Sequence, residues 1–327
     1  MTLDELAEFL ASRDDFVVVS HDGPDADGIG AAYALVTALE LLGKRAVAAV
    51  SDALPAKFRF IDRRGLFRSL AAGGLDFRPK VAVVVDTHDF SYVGSRVEAL
   101  LAEVSDRLVI DHHEPKGERF EPSLLDSSAS STSELVFLAA RKLGIELPED
   151  AAEAVFAGIV YDTGSFAYPK TGEATFDCAR ELVRLGVRPY TIHNRMYESS
   201  SIGVLMLQKA VLSTLELHAD NRIAVQTLSG AQLASTGAAY EDAEDLVNLP
   251  LQGRSVEVSV LFKENLEGKL RCSLRSKGRV NVAHIAQSFG GGGHKTAAGF
   301  TCQAPLERSE ADVLKTIVRA LADIADA

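Results

Sequence analysis

Acidic and imidazole residues gather at four places in the first half of the chain. They are His21-Asp22-Gly23-Pro24-Asp25-Ala26-Asp27-Gly28, Asp86-Thr87, Asp111-His112-His113 and Asp162-Thr163-Gly164. Carboxylates brought close together repel one another unless cations neutralise them. Oxygen and imidazole donors without a thiolate suit Mn²⁺, Mg²⁺ or Fe²⁺. In His21-x-x-x-Asp25-x-Asp27, two carboxylates one residue apart on a glycine-flanked loop can face different ions, and a lone carboxylate such as Asp86 could bridge both. Each motif also has a plainer reading. Asp and Gly are ordinary turn residues, and an Asp at a strand end often caps the next helix. Repetition is what favours a metal site.

The elements that must carry these residues alternate in type. Short apolar runs at 16–20, 46–50, 81–85 and 107–110 read as strands, with helices predicted at 29–42 and 96–104. That alternation predicts a parallel sheet with helices on both faces. Ligands of such sheets bind at the carboxyl ends of the strands. The clusters after 20, 85 and 110 therefore converge if their strands are neighbours. Ser131-Thr132-Ser133-Glu134 reads as a capping box opening a helix, and its amides could instead meet a phosphate. Further helices are expected at 148–161, ending at Asp162, and at 173–185.

The second half changes character. A helix at 201–213 precedes strands at 222–228, 256–262 and 270–274, with a hairpin turn at 263–268. A helix at 280–289 then runs into four consecutive glycines, 290–293. This reads as a smaller α+β domain. The expected division is a first domain at 1–190, a helical linker at 191–218 and a second domain at 219–327.

Composition limits what the chain can do. Of 327 residues, 34 are Lys or Arg and 46 are Asp or Glu, so the net charge of −12 argues against a coat for long duplex nucleic acid. Small phosphorylated ligands held through cations remain compatible. Cys178, Cys272 and Cys302 are far apart, which suits a reducing compartment and excludes a thiolate zinc site. No basic start precedes an apolar core, and no apolar run approaches the roughly 18 residues of a membrane helix, so a soluble cytoplasmic protein without a membrane partner is expected. The basic residues Arg271, Arg275, Lys277, Arg279 and Lys295, with Ser276 and His294, surround the glycine run. Such a cluster in an acidic chain is where a substrate phosphate would dock. Tetraglycine lets a backbone approach a ligand closely, or forms a flexible loop.

Taken in order, the four motifs resemble those of the DHH phosphoesterase superfamily. Phe289-Gly290-Gly291-Gly292-Gly293-His294 resembles the glycine-rich motif of the DHHA1 domain that often follows it. The resemblance covers nearly the whole chain and looks most like the bacterial oligoribonuclease and pAp phosphatase group. It implies an α/β DHH domain plus a DHHA1 domain, with the active site in the cleft between them. It also implies hydrolysis of short RNA to 5′-mononucleotides and of 3′-phosphoadenosine 5′-phosphate (pAp) to AMP, with two divalent cations, most often Mn²⁺. A homodimer is compatible with it.

The resemblance implies roles residue by residue. His21, Asp25 and Asp86 would hold one ion; Asp27, Asp86, His112 and Asp162 would hold the other. Asp111 would lie behind them fixing an imidazole tautomer, and His113 would face substrate as phosphate contact or proton donor. Arg275, Ser276, Gly291, Gly292, Gly293 and His294 would bind substrate. His88 departs from relatives that carry small residues there and reads as a solvated loop histidine, with reach of the site as the alternative. A cyclic di-AMP or pApA phosphodiesterase would use the same residues. More distant alternatives are an inorganic pyrophosphatase, which lacks the motif at 290–294, and a non-catalytic nucleotide-binding regulator, which would be expected to have lost ligands.

Overall fold

The computed structural model describes residues 1–114, 120–265 and 267–325. Leu266 of the expected hairpin turn, and residues 326–327 of the expected second domain, lie outside the described residues. The chain divides into two compact units, Met1–Ser199 and the remainder from Ser200. The division falls inside the segment expected to link them.

In chain order the first unit comprises α1 (Leu3–Ala11), β1 (Phe16–Val19), α2 (Ala26–Leu41), β2 (Ala46–Val50), β3 (Phe67–Ser69), β4 (Val81–Val85) and α3 (Ser95–Glu103). It continues with β5 (Asp106–Asp111), β6 (Ser123–Leu125), α4 (Thr132–Lys142), α5 (Glu149–Asp162), α6 (Glu173–Arg184) and α7 (Pro189–Tyr197). Its six strands pair in parallel in the order β3-β2-β1-β4-β5-β6. The edge strands β3 and β6, three residues each, were too short to read from the sequence. Strand order reverses between β1 and β4, which is where a doubly wound sheet opens a crevice at its carboxyl edge. Helices α2, α4 and α5 pack on one another over one apolar core, and α3 covers the opposite core. Helix α2 is buried from Ala26 to Leu39, so it is apolar around its whole circumference. It begins at Ala26, three residues earlier than expected, because Asp25 caps it.

The second unit comprises α8 (Ile202–Leu212), β7 (Glu216–His218), β8 (Ile223–Leu228), α9 (Gly230–Thr236), a 3-10 helix (Tyr240–Gln252) and β9 (Val258–Glu264). Then follow β10 (Leu270–Ser276), α10 (Val282–Ser288), β11 (Gly292–His294), β12 (Ala297–Thr301) and α11 (Leu306–Ala325). The sheet order is β11-β12-β10-β9-β8-β7, with every pair antiparallel except β8 with β9. The segment expected as a helical linker is thus shared out. Helix α7 packs on α5 in the first unit, whereas α8 and β7 belong to the second. Glycines 290–293 are only partly a loop, because Gly292 and Gly293 pair with β12. Among the described residues no helix is long and apolar enough to cross a membrane.

Candidate metal centre

Three neighbouring strands deliver the acidic and imidazole side chains to one edge. The loop after β1 supplies His21 and Asp25, the residue after β4 is Asp86, and β5 ends at Asp111 before His112. Helix α5 brings Asp162 at its last turn, and the first turn of α2 brings Asp27. Among the described residues three groups result here whose ligand atoms all lie within 4.8 Å of one another: His21, Asp25 and Asp86; Asp27, His112 and Asp162; and Asp86, His112 and His113. Asp86 joins them. Its Oδ2 lies 3.6 Å from His21 Nε2 and its Oδ1 lies 3.8 Å from His112 Nε2. The backbone of Asp86 sits in the left-handed region at φ +63°, a conformation that costs a non-glycine residue free energy. It is held there while its amide donates to the Ile110 carbonyl on β5 at 3.0 Å.

Capping and ligand placement coexist at Asp25. Its Oδ1 accepts the amides of Asp27 and Gly28 at 2.9 and 3.2 Å, which starts α2 through one of its two oxygens. Asp27 is fixed from the opposite side. Thr132 and Ser133, the first residues of α4, donate their amides to its Oδ2 and Oδ1 at 2.7 and 2.8 Å, and the Thr132 hydroxyl donates to Asp86 Oδ1 at 3.1 Å. These amides are therefore spent on a protein carboxylate and not offered to a phosphate. The expected capping box is only half present. Ser131 accepts the Glu134 amide, but the Glu134 carboxylate turns away to the hydroxyls of Ser130 and Thr175 at 2.5 and 3.0 Å.

Packing around Asp27 demands glycine. A Cβ on Gly158 of α5 would lie 2.1 Å from Ser133 Oγ and 2.7 Å from Asp27 Oδ1. Helices α2, α4 and α5 can meet at the carboxylate only because that side chain is missing.

Electrostatics agree with the geometry. Burial, and then the charges of Asp27, Asp25, Asp162 and Asp111, push the Asp86 carboxyl well above the usual carboxylate range. Burial and the neighbouring Asp27 raise Asp25; burial and Asp162 raise Asp27. Burial pulls His112 down, but the carboxylates of Asp162 and Asp27 outweigh it and its pKa rises. Such a cluster resists holding all its negative charge until cations compensate it. His112 Nε2 shows the same need. It is buried, and among the described residues it makes no hydrogen bond of good geometry, although Asp162 Oδ2 is 2.8 Å away and Asp27 Oδ2 is 4.0 Å away. A buried nitrogen ringed by carboxylate oxygens fits a metal ligand, so the residues present suit divalent cations.

Asp111 lies behind the cluster and meets two imidazoles. It does not fix the imidazole of His112, whose Nδ1 faces the Ala129 carbonyl at 3.4 Å. Its fully buried carboxylate binds His113 Nδ1 at 2.7 Å and His88 Nδ1 at 2.5 Å. Burial opposes ionisation there, but the bonds from His113 and His88 prevail and bring the Asp111 pKa down to about 2. His88, at 12% side-chain exposure, is correspondingly not a solvated loop residue. Its sequence signal was only its position two residues beyond Asp86.

On the second unit, Arg275 stands on β10 opposite Ala297 of β12, and His294 pairs with the same Ala297 from β11. Both residues therefore share one face of the sheet. Burial lowers the pKa of the half-buried Arg275 guanidinium. Ser276 is buried, and its hydroxyl donates to the Val280 carbonyl at 2.7 Å, so it closes a turn of the protein itself. The glycines differ from one another. A Cβ on Gly291 would meet the Gly299 carbonyl at 2.2 Å, and one on Gly293, at φ +141°, would meet the Ala297 carbonyl at 2.5 Å. Gly290 and Gly292 have nothing within 4 Å, and of the two only Gly290 is in the left-handed region, at φ +79°. Lys277 and Arg279 are engaged within the unit, with the Gly253 carbonyl at 2.7 Å and with Glu257 at 3.3 Å.

A doubly wound sheet with convergent aspartates and histidines at its switch point, followed by a mixed sheet with a glycine-rich edge, defines a class. The DHH family N-terminal domain matches residues 15–159 and the DHHA1 domain matches residues 220–324. The chain belongs to the DHH family of phosphoesterases. It is 31% identical over 306 residues to the bifunctional oligoribonuclease and PAP phosphatase NrnA of Thermus thermophilus, covering 92% of this chain and 88% of that protein. It is 30% identical over 311 residues to the cyclic-di-AMP phosphodiesterase GdpP of Geobacillus thermodenitrificans, covering 90% of this chain but 45% of that longer protein. Among solved structures, an exopolyphosphatase-related protein from Bacteroides fragilis has a TM-score of 0.87 at 25% identity, covering 98% of this chain and 96% of that one.

Proposed function

We propose that this chain is a metal-dependent phosphoesterase that hydrolyses short RNA oligonucleotides to 5′-mononucleotides and pAp to AMP. The observation that carries the proposal is the placement of Asp86, whose two oxygens face the histidines of two separate ligand groups. His21, Asp25 and Asp86 would hold one divalent cation, and Asp27, Asp86, His112 and Asp162 a second, with Mn²⁺ the favoured ion. When bound, such ions neutralise phosphoryl oxygens and acidify water for in-line attack.

The chain's own residues supply the rest. Asp111 meets Nδ1 of His113, which leaves Nε2 of this exposed imidazole turned outward; protonated at both nitrogens, the ring would donate from Nε2 to the substrate phosphate or give that proton to the departing oxygen. Both reactions break the same kind of bond. Water oxygen joins phosphorus, the bond from phosphorus to the 3′ oxygen breaks, and that oxygen leaves as a hydroxyl. The segments at 1–190 and 219–327 would divide the work, with Arg275, His294 and the open Gly292 recognising the nucleotide. The buried hydroxyl of Ser276 supports a structural role in the turn that leads to Val280.

A cyclic di-AMP or pApA phosphodiesterase would break the same 3′ bond, and the similarity to GdpP favours keeping that second reading. Turnover of pAp, RNA of two to five nucleotides, cyclic di-AMP and pyrophosphate, each with and without chelator, tests the assignment. Faster kcat/KM on pAp and short RNA is expected. A preference for cyclic di-AMP would select the second reading, and turnover that survives complete metal removal would refute both.

A further inference from the structure

We propose that His88 is a positioning residue for His113, acting through Asp111; the inference rests on the reading above that His113 meets the substrate. Strands β4 and β5 are neighbours, with Val85 opposite Ile110. His88 lies two residues beyond Asp86, and His113 lies two residues beyond Asp111. The two histidines therefore approach one buried carboxylate from two adjacent strand ends, and they divide its oxygens between them. Oδ2 faces His88 Nδ1 at 2.5 Å; Oδ1 faces His113 Nδ1 at 2.7 Å and the His113 amide at 3.2 Å.

An ionised carboxylate only accepts hydrogen bonds, so both imidazoles carry a proton on Nδ1. For His113 this fixes the orientation of the ring and sets Nε2 as the nitrogen presented outward. The bond from His88 has a separate job. The terminal torsion of an aspartate is broad and roughly two-fold. A carboxylate held through one oxygen can therefore swing, and the direction of its bond to His113 swings with it. Held through both oxygens, its plane is fixed. Removing His88 also leaves Oδ2 buried without that donor, a cost that reorientation of the carboxylate would relieve. The most direct relief moves Asp111 away from His113. The expected defect therefore lies in the aim of His113, with the metal ligands unaffected.

The experiment is a double-mutant cycle on pAp and a diribonucleotide, using the full chain loaded with Mn²⁺. His88→Ala should lower kcat/KM about tenfold, with the amount of Mn²⁺ bound per chain unchanged. His88→Asn, whose side-chain amide can donate to the same oxygen, should recover activity to within about threefold of the parent. In a His113→Ala background, His88→Ala should cost less than about twofold, because its route to the substrate is already gone. Additive losses in the double variant, loss of Mn²⁺ from His88→Ala, or an Asn variant no better than Ala would each overturn the proposal. If His113→Ala alone keeps full turnover, the reading of His113 at the substrate fails, and the proposal falls with it.

Discussion

The hydroxyl of Thr132 donates to Oδ1 of Asp86 across 3.1 Å, tying the first turn of α4 to the residue that follows β4. The Thr132 amide meanwhile holds Asp27 at 2.7 Å. One fully buried residue thus sets the orientation of two carboxylates that converge on His112.

Thr132→Val keeps the shape and the amide but removes the hydroxyl bond to Asp86. Mn²⁺ affinity should fall about tenfold, as is common when a group supporting a ligand is lost. Thr132→Ser should keep parental affinity. Titration of each variant with Mn²⁺ by electron paramagnetic resonance checks this, and equal affinities in the Val and parent proteins would reject the role.

Steric demand separates the glycines. Gly158→Ala places a methyl group 2.1 Å from Ser133 Oγ and should destabilise the fold by about 1–3 kcal/mol, as overpacking does, while displacing Asp27. Gly292→Ala has nothing within 4 Å and should change stability by less than about 0.5 kcal/mol. Urea unfolding of both variants decides, and equal destabilisation would contradict the packing account.

The acid limb of stability should depend on Asp15. Hydrogen bonds from Lys80 and Arg45, against the opposing effect of burial, hold its carboxyl below the usual range. A depressed folded-state pKa gives stability that is present above the unfolded value of about 3.9 and lost as pH falls through the folded one. Asp15 adopts φ +61°, which asparagine tolerates, so Asp15→Asn removes the charge without a new backbone penalty. The parent should exceed Asp15→Asn in unfolding free energy at pH 6, and the gap should close below about pH 4. A gap independent of pH would remove the charge from the explanation.

Recognition and chemistry should separate by unit. Arg275→Ala or His294→Ala should leave Mn²⁺ binding intact and lower kcat/KM on pAp or a dinucleotide by roughly 10–150-fold, the worth of a charge-assisted hydrogen bond. The small diester bis-p-nitrophenyl phosphate should be affected far less. Equal losses on both substrates would place these residues at the reacting centre.

Much of the metal centre was legible because strand ends in a parallel sheet converge by geometry, so His21, Asp86 and His112 announce a shared site through order alone. Thr132 did not announce itself. A serine and threonine run before Glu134 reads as a cap, and nothing local shows that its amides serve Asp27, 105 residues away. His88 reads as solvated ahead of reaching the site for a similar reason: its partner Asp111 lies on the neighbouring strand, 23 residues on. Nothing in the glycine run reads as a strand, because glycine disfavours strands, yet edge pairing with Ala297 and Ala298 takes Gly293 and His294 into a sheet.

Whether Asp86 joins two cation sites is decided by the number of Mn²⁺ ions bound per chain in Asp86→Asn and Asp25→Asn beside the parent. Two ions are predicted for the parent, one tightly held ion for Asp25→Asn, and weakened binding at both sites with the larger loss of pAp turnover for Asp86→Asn. An Asp86→Asn protein that keeps both ions at parental affinity would contradict the account.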